Sequence, residues 1–497
     1  MKTFTRRLMM MRLKNGFSVF NSGKFMTIQL ERDDIQGFVL SSYAHLPCAN
    51  YLLLQITDPE LARGWIKHFV SQITTAEKKQ EGFSLNLAFT STGLSKLGFT
   101  ASELSTFSRS FAEGMISEHR SRILGDTDEN KPESWDWGSA DNSVDILLLV
   151  FAENENALDA QLSLRFGEIE SCGGLRKVFA LAAGRQADTK EHFGFEDGVG
   201  QPVIEGSGSE LKQQTRTHHA TIIKAGEFIL GYENELDIRV ALPEAREMPT
   251  FGRNGTYLVF RQMEQDVAKF WNYLRDITRR ADGTSDDAAL EYFAAKIVGR
   301  WKSGAPLTKY PNSDPHKNPT EKSNENDFEY HEQDQKGFGC PIGAHIRRTN
   351  PRDSLGPDPE TALESAKRHR IIRRGRSYGS RIENRFVADG VPRGLNFICL
   401  NTDIERQFEF IQQTWVNNRT FAGLYDEVDP LIGKKDKDTG SFTVQNDPVR
   451  RRIHNIQDFV QIKGGAYFFM PGIEALRHLA RFSVETDESE VAPSIEV

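Results

Sequence analysis

The stretch YLLLQITDPELARGWIKHF, residues 51–69, joins an apolar strand to an amphipathic helix and sets the pattern for the fold. The run YLLLQI is typical of a buried strand. Asp58 and Pro59 suit the start of a helix, because an aspartate oxygen can accept first-turn N–H bonds and proline fits the first helical position. Large apolar side chains then recur at helical spacing and are predicted to face a core: Leu61, Trp65 and Phe69.

Strand–helix units of this kind recur along the chain. A late unit, LNFICL at 395–400, leads into its own helical pattern and resembles a counterpart of the first unit in a duplicated architecture. The clearest helix is predicted over 286–301, with Ser285 as its cap. Because strands and helices do not alternate strictly, the pattern favours an α+β fold with helices packed on antiparallel sheets. Further strands are predicted at 145–151, 227–232, 256–261 and 466–470.

The chain is predicted to divide into two domains near residues 205–225. Polar residues dominate between Pro306 and Lys336, which predicts a long surface loop. The predicted units are a flexible extension at 1–30, an N-terminal domain at 31–215, a C-terminal domain at 216–482 and an acidic tail at 483–497.

Composition excludes several classes of protein. The 497 residues are 38% hydrophobic and 27% charged, which is typical of a globular chain, and the net charge of -8 disfavours a nucleic-acid partner. No apolar window is long enough for a membrane helix, and the Arg6-Arg7 pair lacks the apolar stretch of an export signal, so a cytoplasmic location is expected. The cysteines are far apart, which disfavours zinc and disulfide frameworks: Cys48, Cys172, Cys340 and Cys399.

The stretch HFGFEDGVGQP, residues 192–202, is rich in glycine around Phe195, Glu196 and Asp197. Glycine permits sharp turns and lets the backbone approach a flat ligand closely. The spacing differs from GxGxxG and Walker motifs, so the segment is not a phosphate loop. Taken alone, it fits a ligand-binding turn and an ordinary glycine-rich turn equally well.

Two later segments combine histidine and arginine. In GCPIGAHIRRTNPRD, residues 339–353, His345 precedes several arginines. An imidazole can bind iron, and guanidinium groups can pair with the carboxylates of a porphyrin. RHRIIRRGRSYG, residues 368–379, is strongly basic around a glycine. By itself, a lone histidine is more often structural, and a basic run is more often a solvated loop or a carboxylate-pairing strand.

In this order, the three segments resemble the dye-decolourising peroxidase family. Gly194, Asp197 and Gly198 match its GxxDG motif. His345 in AHIRRTNPRD matches the proximal-ligand segment, and Arg373 in IIRRGRSYG matches the distal-arginine segment. One short Gly-Asp motif would be weak evidence, whereas three ordered motifs are specific.

The resemblance runs from Asp33 to Ala480 and fits the long form of the family best. It implies two ferredoxin-like α+β domains, with one haem b per chain held by the C-terminal domain. It also implies a peroxidase that reduces hydrogen peroxide through a ferryl intermediate and oxidises organic donors such as dyes and phenols. Hydrogen peroxide and organic electron donors are the expected partners, and no membrane partner is expected. The sequence does not decide between a monomer and a homo-oligomer.

The resemblance implies a role for each matched residue. His345 is the proximal ligand of the haem iron, and Asp197 and Arg373 act on peroxide at the opposite face. A carboxylate that moves a proton predicts an acidic optimum, and a guanidinium stabilises negative charge. The sequence does not say which of the two dominates. Asp403 or Glu405 is expected to accept the remaining N–H of His345.

Other haem contacts are expected from the glycine-rich segment, one arginine and one strand. Arg347 is predicted to pair with a propionate, and Leu395 and Phe397 are predicted to keep the distal pocket narrow and dry. The full set is Gly194, Phe195, Glu196, Gly198, Arg347, Leu395 and Phe397. The main alternative is a haem carrier or an iron-releasing protein on the same fold, which would keep the histidine without needing both distal residues.

Overall fold

The computed structural model describes residues 28–77, 81–209, 221–316, 326–436 and 440–482. The predicted acidic tail lies outside the described residues, as does the predicted N-terminal extension except for residues 28–30. Leu30, at the end of that extension, is buried in the core. No helix in the described ranges is long and apolar enough to cross a membrane.

Strands supply the framework of the molecule. They are β1 (Cys48–Ile56), β2 (Phe83–Phe89), β3 (Ile146–Ala152), β4 (Leu175–Gly184), β5 (Val203–Ile204), β6 (Ile222–Ile223), β7 (Thr256–Gln265), β8 (Ile372–Arg373), β9 (Arg376–Tyr378), β10 (Gly394–Asn401), β11 (Ser441–Val444), β12 (Arg451–His454) and β13 (Val460–Met470).

Helices cover the outside of this framework. The α-helices are Gly37–Leu40, Pro59–Phe69, Ser91–Lys96, Ala101–Leu104, Arg109–Glu113, Glu118–Leu124, Glu155–Cys172, Val267–Thr278, Asp287–Val298, Tyr330–Asp334, His345–Thr349, Pro359–Lys367 and Ile473–Leu479. Two π-helical segments, Glu405–Glu409 and Ile411–Val416, follow β10.

The chain contains two similar units, each with a βαββαβ order. In the first, strands β1 to β4 form an antiparallel sheet in the order β2–β3–β1–β4, with helices Pro59–Phe69 and Glu155–Cys172 after β1 and β3. In the second, the order is β13–β7–β10–β9, with helix Val267–Thr278 after β7 and the π-helical segments after β10. The predicted pair of ferredoxin-like α+β units is confirmed.

The two sheets close into a single barrel. β4 pairs with β9 at Gly184 and Ser377, and β13 pairs with β2 at Phe469 and Phe89. Because β7 also pairs with β10, the ring has no free edge at this point. The sequence patterns predicted the two sheets but gave no sign that they join.

Side chains that alternate along β7 face the barrel core on one side of the strand and the cavity on the other. Leu258 and Phe260 pack in one apolar cluster with strands of both units. Side chains alternate between the two faces of a strand, so Arg261, Met263 and Gln265 point the other way. All three line a large cavity outside the second sheet.

Most predicted strands lie inside observed ones, but the strand predicted at 227–232 is wrong. This segment forms a turn that begins with the short 3₁₀ helix Ala225–Glu227. The buried carboxylate of Glu227 pairs with Arg406, and Gly231 adopts a φ of 94°, which an extended strand does not allow. Burial of its apolar side chains, Phe228, Ile229, Leu230 and Tyr232, explains why the segment resembles a strand in the sequence.

The predicted helix at 286–301 is shorter in the structure and has a different cap. Asp286 accepts the N–H of Ala289, and the helix spans Asp287–Val298. Gly299 ends it in the left-handed region with a φ of 98°. Ser285, the predicted cap, instead bonds to the side chain of Asp287.

Two predictions about organisation need correction. The strand at 51–56 begins the first unit, whereas the strand at 395–400 is the third of the second unit, so the two are not counterparts despite the duplication. The described ends of the 306–336 segment are anchored rather than loose. Leu307, Phe328 and Tyr330 are buried there, because these scattered apolar side chains pack with residues around Cys340.

Candidate active site

A cavity of about 310 Å³ lies between the outer face of the second sheet and the elements that cover it. Its wall contains His345, Asp197 and Arg373, one residue from each of the three motifs. Five more of the predicted contact residues also line it: Phe195, Glu196, Gly198, Leu395 and Phe397. The last two face the cavity from β10. The fold therefore brings together segments that are distant in the sequence.

His345 begins the short helix His345–Thr349, and its ring is held by a buried carboxylate. Nδ1 of His345 lies 2.9 Å from Oδ2 of Asp429, and the other oxygen of Asp429 accepts the N–H groups of Leu431 and Ile432. Burial alone would raise the pKa of Asp429, but His345 and these hydrogen bonds outweigh it and lower the pKa. An ionised carboxylate can only accept, so Nδ1 donates and Nε2 is left to bind a metal.

The prediction that Asp403 or Glu405 accepts this N–H is wrong. Asp403 instead accepts the N–H of Arg406, and Glu405 accepts the N–H of Ser110. The observed partner lies 84 residues after His345. No local spacing links the two positions, so the sequence alone gave no signal for the pair.

Asp197 and Arg373 are joined through one loop. Oδ1 of Asp197 accepts the N–H of Gly198 at 2.6 Å, and Nη2 of Arg373 donates to the carbonyl of Val199 at 2.8 Å. Asp197 is exposed and Arg373 is partly buried. Neither side chain forms an ion pair with another residue in the described ranges, so both retain hydrogen-bonding atoms for a ligand.

Glu191 fixes the loop that carries Asp197, and sequence reasoning missed it. Its two carboxylate oxygens accept the N–H groups of Phe193 and Phe195, both at 2.8 Å, and Gln265 on β7 donates to it at 2.6 Å. Burial raises the pKa of Glu191 despite these bonds. A glutamate just before a glycine-rich turn is a signal that could have been read as a local acceptor for the turn.

Gly194 and Arg347, two predicted haem contacts, do not line the cavity. Gly194 instead forms the turn of the distal loop, with a φ of 96°. Arg347 is buried and donates to the carbonyls of Asp334 and Cys340, both at 2.9 Å. Its guanidinium therefore stabilises the segment before His345, and the helical twist turns it away from the histidine.

Other arginines form a cationic wall of the cavity. Arg352 and Arg370 line it together with Arg373. Arg370 donates to the carbonyl of Gly200, and Arg352 donates to the carbonyl of Phe328. Burial and repulsion from Arg352 and Arg373 lower the pKa of Arg370 to about 9. Since no described carboxylate pairs with these three groups, the wall suits a ligand with negative charge.

The donor set and the wall fit a haem group. A histidine with a carboxylate on Nδ1 is a typical iron ligand, and arginines that pair with no described carboxylate match the propionates of a porphyrin. Apolar side chains complete the wall for a flat ring, among them Leu395, Phe397 and Val416.

A second histidine, His369, also lines the cavity. Its Nδ1 contacts the carbonyl of Arg406, and its ring stacks on Phe410 with 3.8 Å between ring centroids. Burial lowers the pKa of His369. Because no carboxylate among the described residues bonds to it, His369 is less suited than His345 to support an electron-poor metal.

Comparisons with known proteins agree with the fold and the motifs. Residues 34–168 match the family model described as the DyP dimeric alpha+beta barrel domain. The chain is 29% identical to dye-decolorizing peroxidase AauDyP1 of Auricularia auricula-judae, over 95% of this chain and 92% of the relative. A crystal structure of a fungal DyP-type peroxidase from Auricularia auricula-judae is 27% identical, with a TM-score of 0.75, and covers 91% of this chain and 100% of its own.

A solved structure of a dye-decolorizing peroxidase in complex with 2,6-dimethoxyphenol is also similar. It is 25% identical, has a TM-score of 0.73, and covers 91% of this chain and 100% of its own. The likeness extends over both units of the barrel rather than over the residues of the family model alone. The chain is therefore similar to dye-decolourising peroxidases over nearly its whole length.

Proposed function

We propose that this chain is a haem-dependent peroxidase that reduces hydrogen peroxide while it oxidises organic donors such as phenols and dyes. The observation that carries the proposal is the placement of the His345–Asp429 pair, Asp197 and Arg373 around one cavity. The relatives named as dye-decolorizing peroxidases, one of them solved with a phenol, support the same activity.

Haem b, one per chain, is the cofactor that we assign to the cavity. Nε2 of His345 would hold the iron, because Nδ1 is engaged by Asp429. Arg352 and Arg370 would pair with the propionates. When bound, haem supplies an iron that takes up hydrogen peroxide and passes its oxidising power to the organic donor.

The distal residues, Asp197 and Arg373, transfer the proton of the peroxide and stabilise its negative charge. The carboxylate of Asp197 takes a proton from one peroxide oxygen and returns it to the other, which then leaves as water. The free N–H groups of Arg373 stabilise the negative charge that develops meanwhile. Leu395 and Phe397 exclude bulk water, which strengthens both interactions.

On the other side, Asp429 holds the proton on Nδ1 of His345 and fixes the orientation of the ring. Hydrogen bonding to a carboxylate makes the imidazole a stronger electron donor to a metal. The arrangement therefore separates two tasks, metal binding by His345 and proton transfer by Asp197.

The test is the absorption spectrum of the haem-loaded protein before and after one equivalent of hydrogen peroxide, between roughly pH 4 and 7. The absorption spectrum of wild type should change rapidly after hydrogen peroxide is added. Asp197→Ala or Arg373→Ala should slow the response by about 10²- to 10⁴-fold, as expected for loss of an acid–base group or a charge-stabilising group. Asp188→Ala is the matched control, since Asp188 pairs with Arg381 outside the cavity wall.

A haem spectrum that does not respond to peroxide in wild type would overturn the proposal and favour the haem carrier. Equal rates in wild type, Asp197→Ala and Arg373→Ala would retain a peroxidase but remove both residues from its mechanism. A slower response in the Asp188→Ala control would show that the loop is sensitive to any loss of charge.

A further inference from the structure

We infer that Asp126 and Arg261 form a binding subsite for the hydroxyl group of a phenolic electron donor. Both residues lie in the cavity wall, away from the three motif segments in the sequence. The inference rests on the proposed function, because it names where one class of reducing substrate would bind.

The two side chains form an incomplete ion pair. Nη2 of Arg261 contacts Oδ1 of Asp126, and the residues are only 5% and 3% exposed. Nη1 of Arg261 and Oδ2 of Asp126 are also buried, and neither has a hydrogen-bond partner in the described part of the chain. An arginine and a carboxylate that serve only structure commonly form two parallel hydrogen bonds. Here one donor and one acceptor remain.

Neighbouring charges do not use these atoms. Glu409, the nearby buried acid, is satisfied by Arg120 at 2.7 Å, by the hydroxyl of Tyr467 at 2.8 Å and by Ser110 at 3.1 Å. A buried polar group without a partner costs about 1–3 kcal/mol, and more if it is charged. The unpaired atoms of Asp126 and Arg261 therefore favour a ligand that supplies both a donor and an acceptor.

A hydroxyl group meets this requirement with a single oxygen. It can donate its proton to Oδ2 of Asp126 and accept from Nη1 of Arg261. A carboxylate ligand would be repelled by Asp126, and an ammonium ligand would be repelled by Arg261. Burial raises the pKa of Asp126 although Arg261 opposes the shift, so an additional donor to this carboxylate is favourable.

The surrounding wall suits an aromatic ring. Leu124, Met263, Phe408 and Ile462 line the same cavity and are apolar. A phenol would place its ring against these side chains and its hydroxyl against the ion pair. A water molecule could also satisfy the pair, but it would gain nothing from the apolar wall.

The test measures binding to the resting haem-loaded enzyme by calorimetry, without peroxide. The probes are 2,6-dimethoxyphenol and 1,3-dimethoxybenzene, which lacks the hydroxyl. Wild type should bind the phenol at least about tenfold more tightly, as expected for hydrogen bonds to charged groups. Asp126→Asn should remove this difference, because the amide keeps the size of the side chain but presents N–H groups in place of one oxygen.

Two further variants keep the inference falsifiable if Asp126→Asn does not fold. Met263→Phe places a larger side chain in the cavity without changing the charge of Asp126 or Arg261. It should weaken binding of both probes. Asp458→Asn is the matched control: Asp458 lines the cavity but pairs with Lys435, so this variant should keep the preference for the phenol.

Equal affinity of wild type for the two probes would overturn the inference and leave the pair hydrated. Loss of the preference in Asp197→Asn but not in Asp126→Asn would also overturn it, because the phenol would then bind at the distal residues. Both outcomes are independent of turnover. Failure of the proposed peroxidase function would instead appear as no response to peroxide while phenol binding persists.

Discussion

His345 and Asp197 line the same cavity, but the protein holds them in different ways. His345 contacts a fully buried carboxylate, which is fixed in turn by two backbone N–H groups. Asp197 is exposed, and its side chain bonds to the N–H of the adjacent Gly198. A group that holds a metal benefits from a fixed charged partner, whereas a group that exchanges protons with a ligand must keep an atom available.

The charged side chains that hold the segments around these two residues also differ in the sign of their charge. Near His345, the buried guanidinium of Arg348 donates to the carbonyls of Trp415 and Glu427 and so holds the segment that carries Asp429. Near Asp197, the carboxylate of Glu191 accepts hydrogen bonds from the backbone N–H groups of Phe193 and Phe195. One side is organised by a buried cation and the other by a partly buried carboxylate, and each can be altered separately.

The largest effect is expected from His345→Ala. Removal of the ligand should abolish the spectrum of a histidine-ligated haem and most haem retention. His369→Ala should retain the histidine-ligated spectrum, because the ring of His369 stacks on Phe410 and its Nδ1 contacts a backbone carbonyl rather than a carboxylate. Haem content and absorption spectra of the two purified variants provide the measurement.

Added imidazole sharpens this comparison. It should restore the spectrum in His345→Ala, since the vacated space matches the lost ring. If His369→Ala loses the spectrum and His345→Ala keeps it, the assignment of the ligand is wrong.

An intermediate effect is expected from Asp429→Asn. The backbone N–H groups of Leu431 and Ile432 would hold the amide oxygen, so its NH₂ group would face Nδ1 of His345. The ring would then place its proton on Nε2, the nitrogen needed for iron. Haem affinity or peroxide reactivity should fall by about 10- to 100-fold.

Haem transfer to an acceptor protein and the rate of the response to peroxide measure this loss. Asp426→Asn is the matched control, because Asp426 lies in the same segment and pairs with Arg419. Equal behaviour of the two variants would show that the His345–Asp429 contact does not support the metal.

The sequence predicted the strands and the three motif residues better than it predicted their partners. Strand patterns at 51–56, 256–261 and 395–400 lie within β1, β7 and β10, because burial on a sheet produces a local signal. His345 and Arg373 were recognisable for a similar reason, since each lies in a distinctive short segment.

Contacts between distant segments left no local trace. Asp429 has no distinctive spacing from His345, and the barrel closes through single pairings such as Phe469 with Phe89. Arg347 was expected at the haem because it is close to His345 in sequence, but Asp334 and Cys340 engage it instead. Partner choice depends on packing in three dimensions, which one sequence does not display.

The smallest effect is expected in the pH dependence of stability at Glu191. Burial raises the pKa of Glu191, although Gln265 and two backbone N–H groups oppose the shift. Such a group contributes stability that is fully present below its unfolded pKa, about 4.3, and is lost as the pH rises through the folded value. The melting temperature of wild type minus that of Glu191→Gln should therefore fall as the pH rises above about 4.

Glu103, which lies outside the cavity wall, provides a control because its pKa is shifted in the opposite direction. Burial acts to raise its pKa, but hydrogen bonds from Thr100 and Arg246 outweigh burial and lower it to about 2. Its contribution is present above the unfolded pKa, about 4.3, and is lost as the pH falls toward about 2. The melting temperature of wild type minus that of Glu103→Gln should therefore rise between about pH 2 and 4 and stay level above about 4, where the Glu191 difference falls. Thermal unfolding of the haem-loaded proteins measures both slopes. A Glu191 difference that stays level or rises above about pH 4, as the Glu103 difference does, would contradict the raised pKa of Glu191.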